Sequence, residues 1–147
     1  MNLKYLSNIL DLNNLSDEFK DFKQKALSSD SLCISLNAGE RVHLASALNK
    51  PMVYVAKDSY SALLAYQKLK TYDDSTVLFQ PNDDILFYRK SFQKSVTGDR
   101  VKALYSFAKG ESKVLVTSPL ALIQFLPKKD RLLKAIKTLR VNDEMDI

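Results

Sequence analysis

The hydrophobic positions of this chain fall into short apolar runs separated by amphipathic stretches. The runs that predict buried strands lie at residues 32–36, 52–56, 76–79 and 113–117. An apolar run of this length is typical of a strand covered on both faces, and helices between such strands favour parallel pairing. The pattern therefore predicts an α/β fold in which a parallel sheet carries helices on both faces.

The stretches between these runs have the periodicity and the caps of helices. The predicted helices lie within residues 1–30, where a second helix begins near residue 16, and at 40–49, 59–72, 97–109 and 119–125. Gly110 is placed to end the fourth of these, since glycine tolerates the left-handed conformation of a C-cap. Ser118 and Pro119 suit the start of the last one.

Residues 80–96 interrupt this alternation with a segment of neither helical nor strand period. Long loops inside compact domains are usually functional or mobile. Arg89, Lys90 and Lys94 lie here among aromatic side chains, a mixture that could stack on bases and neutralise phosphates. Alternatively, the aromatic rings cover the sheet edge while the charges face water. Together with Arg100 in the next helix, these cations are candidate contacts to nucleic acid or to another domain.

The turn after the first predicted strand has the frame of a phosphate site. Its members are Asn37, Ala38, Gly39, Glu40, Arg41 and Val42. A strand that runs through a turn into a helix holds nucleotide phosphates in many α/β proteins. Phosphate loops need several glycines and a lysine followed by serine or threonine, and this turn has Gly39 alone. We therefore predict a degenerate phosphate loop and no nucleotide cofactor in this chain.

Composition limits the class of protein. The 147 residues suffice for one ordinary domain and a piece of a neighbour, and the content of 46% hydrophobic and 27% charged residues is typical of a soluble globular protein. No apolar run approaches the ~20 residues that span a bilayer. Cys33 has no partner for a disulfide and is expected to be buried, in a reducing cytoplasm. The net charge of +5 favours acidic partners only weakly.

Residues that could carry chemistry are sparse. His43 is the single histidine, and its only evident neighbour is Glu40, three positions earlier on the same helix. A catalytic or metal-binding histidine needs further partners, so we expect an exposed or half-buried helix histidine instead. Asp83 and Asp84 could hold Mg²⁺ if a nucleotide supplied the other oxygens, but a solvated loop is expected here. The sequence predicts neither an active site nor a metal site.

The last twenty residues change character. They contain a basic cluster that precedes an acidic end, and its members are Lys128, Lys129, Arg131, Lys134, Lys137 and Arg140. This segment is interpreted as a linker and the start of a following, truncated domain, and a basic patch for nucleic acid is the alternative. The predicted organisation is a helical segment at 1–30, an α/β domain at 31–127 and this segment at 128–147.

Several short motifs occur in one order along the chain. They are GERVHLA at 39–45, DILFY at 84–88, GDR at 98–100, VLVTSP at 114–119 and LIQFLP at 122–127. In combination they resemble the N-terminal module of the bacterial transcription-repair-coupling factor (Mfd) family, over residues 31–147. In that family an Asp-x-Leu-Pro-Tyr segment precedes a helix containing Arg-Leu and then a strand. Phe87 stands where the family usually has proline.

The resemblance implies a P-loop-NTPase or RecA-like fold, similar to domain 1a of the damage-recognition protein UvrB, that has lost its ATP site. In the family, the following domain recruits UvrA. The polymerase-binding module and the motor that uses ATP and Mg²⁺ to translocate on DNA lie further downstream. The implied function here is a cytoplasmic, non-catalytic scaffold in transcription-coupled nucleotide excision repair. Its partners are other domains of the parent protein and, through that parent, RNA polymerase, UvrA and double-stranded DNA.

Two functions of other classes remain alternatives. One is an ATPase or helicase domain that binds nucleotide through a divergent phosphate loop. The other is a basic DNA-binding module that uses Arg89, Lys90, Lys94 and the tail, whose affinity would fall steeply with salt.

Overall fold

The computed structural model describes residues 16–82, 94–124 and 126–136. Its elements are, in chain order, α1 (Asp17–Ser28), α2 (Ala38–Leu48), β1 (Met52–Val55), α3 (Ser59–Lys70), β2 (Val77–Phe79), α4 (Lys94–Lys109), β3 (Val114–Thr117), α5 (Pro119–Leu122) and α6 (Lys129–Ala135). The predicted α/β class is confirmed. The predictions for the first helix and for Asp83, Asp84, Arg89, Lys90 and the end of the tail fall outside the described residues.

The strands form a small open parallel sheet in the order β1-β3-β2. Met52 lies opposite Val114 and Val55 opposite Thr117, while Phe79 pairs with Thr117 from the other side. Three of the predicted strands are thus confirmed, each within one residue at its ends. The central strand β3 is buried at every position, as its apolar sequence predicts.

The prediction of a strand at residues 32–36 is wrong. Residues 31–37 form neither helix nor strand, and Leu32 and Ile34 are more than 40% exposed. Two backbone groups at the end of this segment are bonded to side chains of α2 instead of to a neighbouring strand. The Leu36 carbonyl accepts from Arg41 Nε, and the Asn37 N–H donates to the Glu40 carboxylate. Cys33 is exposed for the same reason, which corrects the expectation that it would be buried.

Two apolar clusters cover the opposite faces of the sheet. Val114 and Val116 of β3 pack in one cluster with α2 and α3, while Leu115 packs in the other with α4 and α5. Successive strand residues point to opposite faces, so helices lie on both faces, as predicted. β1 departs from the expected full burial because Val53 and Val55 remain about half exposed at the sheet edge.

Local caps explain where the helices begin and end. Ser16 caps α1 by accepting from the Phe19 N–H, and Gly110 ends α4 with a φ of +82°. α4 begins at Lys94, three residues before the predicted start, so Thr97 lies inside it. α5 is a single turn that begins at Pro119 and stops at Leu122, shorter than predicted.

The segment assigned to a following domain begins with α6. This helix packs against α4, and Leu132 is its buried residue. The division of the chain into units at 1–30, 31–127 and 128–147 stays a prediction. Among the described helices, none is long and apolar enough to cross a membrane.

Candidate functional site

The start of α2, the turn predicted to be a degenerate phosphate loop, is closed by the chain's own side chains, and the described segment that precedes it, residues 31–37, is not a strand. Asn37 Oδ1 accepts from the N–H groups of Gly39 at 3.1 Å and of Glu40 at 3.0 Å. The Glu40 carboxylate accepts in return from the Asn37 N–H at 3.0 Å, which completes a capping box. The amide donors that would hold a phosphate therefore already have partners.

The other members of this turn serve the fold. A Cβ added to Gly39 would stand 3.5 Å from Asn37 Oδ1, an ordinary contact, so no close backbone approach requires a glycine here. Arg41 is bonded to the Leu36 carbonyl at 3.0 Å, and Val42 is buried in the first apolar cluster. Ala38 begins the helix. The six residues predicted to form a degenerate loop thus form the N-cap and the first turn of α2.

The carboxyl ends of β1 and β3 form the second candidate position. The chain leaves β1 for α3 on one face of the sheet and leaves β3 for α5 on the other. Ligands of open α/β sheets bind in the crevice at such a reversal. Here the hydroxyls of Ser59 and Ser118 face each other at 3.4 Å, and Ser118 is buried.

Asp58 closes the helix start beside this serine pair. Its Oδ1 accepts from the Ser61 N–H at 2.6 Å, and this backbone hydrogen bond lowers the pKa of the Asp58 carboxyl. Lys57 Nζ lies 3.9 Å from Asp58 Oδ2, and both side chains are largely exposed. An ionised carboxylate at the N-terminus of α3 takes the place of an anionic ligand and repels one.

His43 is half-buried on α2, as predicted, and contacts Tyr72. Its Nδ1 lies 3.5 Å from the Tyr72 hydroxyl, and the two rings meet edge to face. Tyr72 follows the C-terminus of α3, whereas Ser59 begins that helix. A helix of 12 residues is about 18 Å long, so His43 cannot serve as a base for the serine pair. The part of the chain that the structure describes holds no cluster of acidic, histidine or cysteine residues fit for a metal ion.

Arg100 contacts its own chain. Its guanidinium lies 4.1 Å from the centre of the Phe79 ring, and its Nη1 donates to the Gln80 carbonyl. Partial burial lowers the pKa of the Arg100 guanidinium. Of the other candidate contacts, Arg89 and Lys90 lie outside the described residues, and for Lys94 only the backbone, at the start of α4, is described.

Sequence reasoning missed a second set of bonds that fix the chain as it leaves β2. Gln124 Oε1 accepts from the Asn82 N–H at 2.8 Å, and Gln124 Nε2 donates to the Asn82 carbonyl at 3.1 Å. Thr117 Oγ1 donates to the Phe79 carbonyl at 2.9 Å in the buried interior. A signal existed, since Gln124 is a lone polar residue in the apolar run LALIQFLP.

Comparisons of the chain with family models, curated proteins and solved structures gave no match.

Proposed function

We propose that this chain is a non-catalytic scaffold domain from the N-terminal region of a transcription-repair-coupling factor, built on a RecA-like nucleotide fold whose site is disused. The capping box of Asn37 and Glu40 carries this proposal. It satisfies the amides that a phosphate would need and places a carboxylate in the first turn of the helix. The motif resemblance supplies the family.

The crevice at the carboxyl ends of β1 and β3 supports the same conclusion. Asp58 occupies the helix start there, and the paired hydroxyls of Ser59 and Ser118 contact each other. A nucleophilic serine needs a nearby general base, and His43 lies at the other end of α3. Among the described residues, this arrangement joins the two strand-to-helix connections, and it supports the proposal of a non-catalytic domain.

In the parent protein, the domain would act in the cytoplasm as a scaffold that positions neighbouring domains. It would position the domain that recruits UvrA and help to hold the parent in a restrained state until RNA polymerase is engaged. The parent would use ATP and Mg²⁺ in a downstream motor that moves on double-stranded DNA and passes the lesion to nucleotide excision repair.

Titration calorimetry with ATP and Mg²⁺ tests the loss of the nucleotide site. We expect no binding heat at micromolar concentrations of the chain. Binding in that range, lost in Gly39→Val but kept in Gly98→Ala, would overturn the proposal in favour of an ATPase with a divergent loop. Gly98 is a suited control because a Cβ added there meets nothing within 4 Å.

A second measurement tests the scaffold role in the parent protein. Removal of this domain is expected to raise the rate of ATP hydrolysis by the parent in the absence of RNA polymerase, because a restraining contact is lost. An unchanged rate would contradict the regulatory part of the proposal.

A further inference from the structure

An apolar groove of about 640 Å³ lies between α2 and α3, above the carboxyl end of β1. We call it the α2–α3 groove. Its lining is mostly apolar, and the side chains of Ile34, Leu48, Val55 and Leu64 contribute from four different segments. Its size falls in the range of binding pockets of folded proteins.

The apolar lining is unusually open to solvent for side chains of this kind. Ile34 is 46% exposed, Val55 50% and Leu64 41%, although all three are large and hydrophobic. Single exposed apolar residues are common, but several that meet in one groove mark an interaction site.

The rim of the groove is positively charged. Arg41, Lys57 and Lys68 belong to its lining, and none of the described lining residues is acidic. Among the described residues, Arg41 and Lys68 take part in no ion pair, and Lys57 has only its loose contact with Asp58 at 3.9 Å. Arg41 Nε donates to the Leu36 carbonyl, so its Nη groups, together with Lys57 and Lys68, are the cationic groups that could pair with an acidic partner.

We propose that the α2–α3 groove binds an acidic amphipathic helix of another protein segment. The apolar side chains of such a helix, at positions i, i+3 or i+4 and i+7, would fill the groove. Carboxylates on its flanks would pair with Arg41, Lys57 and Lys68, which fixes the orientation. Nucleic acid fits poorly, since its phosphates match the cations but leave the apolar lining exposed to water.

This inference rests on the proposed scaffold function, because it names the surface and the chemistry through which the domain would hold a neighbour. The helix would belong to another domain of the parent protein.

Fluorescence anisotropy with a labelled synthetic peptide tests the proposal. The probe is a helix of about four turns with leucines on one face and glutamates on its flanks. Lys68→Glu is expected to weaken binding about tenfold through lost attraction and new repulsion. Lys70→Glu, on the same helix but outside the groove, is expected to change the affinity by less than about twofold.

The apolar contact has its own pair of variants on α3. Leu64→Ser is expected to weaken the binding of the peptide about tenfold. Tyr60→Ser is the control, because Tyr60 is 70% exposed and lies outside the groove lining. Circular dichroism of each variant confirms that the fold is kept.

Equal losses in Lys68→Glu and Lys70→Glu would mean that the peptide follows net charge, which overturns the groove as its site. An absence of peptide binding would also overturn it. If the peptide does not bind but removal of the domain still raises the rate of ATP hydrolysis by the parent, the scaffold function stands without the groove. Conversely, the peptide could bind in the groove while removal of the domain leaves the parent's rate of ATP hydrolysis unchanged. That result would support the groove as a binding site and refute the scaffold function.

Discussion

Replacement of Arg100 by alanine tests whether this side chain serves the fold or a nucleic-acid surface. The guanidinium lies over Phe79, which is 1% exposed, and bonds to the Gln80 carbonyl at the end of β2. Both contacts join the middle of α4 to the end of the strand it covers. If they stabilise the fold, the variant must be less stable whatever the chain binds.

The magnitude follows from these two contacts. A partly buried cation over an aromatic ring contributes about 1 kcal/mol, and a hydrogen bond from a charged donor about 1.5 kcal/mol. Because the Arg100 side chain is only half-buried, we expect a loss of about 2 kcal/mol in the free energy of unfolding. For a chain of this length the melting temperature should fall by about 6 °C.

Urea unfolding followed by circular dichroism measures this loss. Lys102→Ala is the matched control, because Lys102 lies on the same helix, is 82% exposed and has only a weak contact with Asp99 at 3.9 Å. It should cost less than about 0.5 kcal/mol. The reasoning would be refuted if Arg100→Ala kept full stability and instead lost affinity for duplex DNA, with a shallower dependence on salt.

Three further predictions concern single polar side chains. The Thr76 hydroxyl is buried and has no hydrogen-bond partner in the described part of the chain, so Thr76→Val should raise the free energy of unfolding by about 1 kcal/mol. Thr117→Val should lower it by about 1 kcal/mol, since Thr117 donates to the Phe79 carbonyl; equal losses in a urea titration of both would show that Thr76 has a partner. The lowered pKa of Asp58 stabilises the fold above the ordinary value of 3.8, and this contribution is lost as the pH falls through the lowered pKa. Asp58→Asn keeps a cap that does not titrate, so its acid unfolding should be less steep, and an identical pH profile would contradict the assignment.

The central strand of the sheet could be predicted from the sequence. VLVT of β3 is apolar at three positions in four and pairs on both sides, so local pattern and tertiary contacts agree. The caps at Ser16 and Gly110 could also be predicted, because a cap depends on residues within one turn.

The segment at residues 32–36 could not be predicted in the same way. Its pattern is as apolar as that of β3, but a strand also needs a partner that satisfies its N–H and C=O groups. Apolar pattern alone contains no information about that partner. The contacts of Arg100 with Gln80 and of Gln124 with Asn82 join residues 20 and 42 positions apart, which no local periodicity reveals.

The side-chain caps at the starts of α2 and α3 both argue against the binding of a nucleotide. Arg41, in the first turn of α2, and Lys57, just before α3, both line the α2–α3 groove. A phosphate at the start of α2 or of α3 would have to displace a side-chain cap and would face the carboxylate of Glu40 or Asp58. The cations Arg41 and Lys57 point instead to a partner whose carboxylates reach the rim of the groove and leave both caps in place.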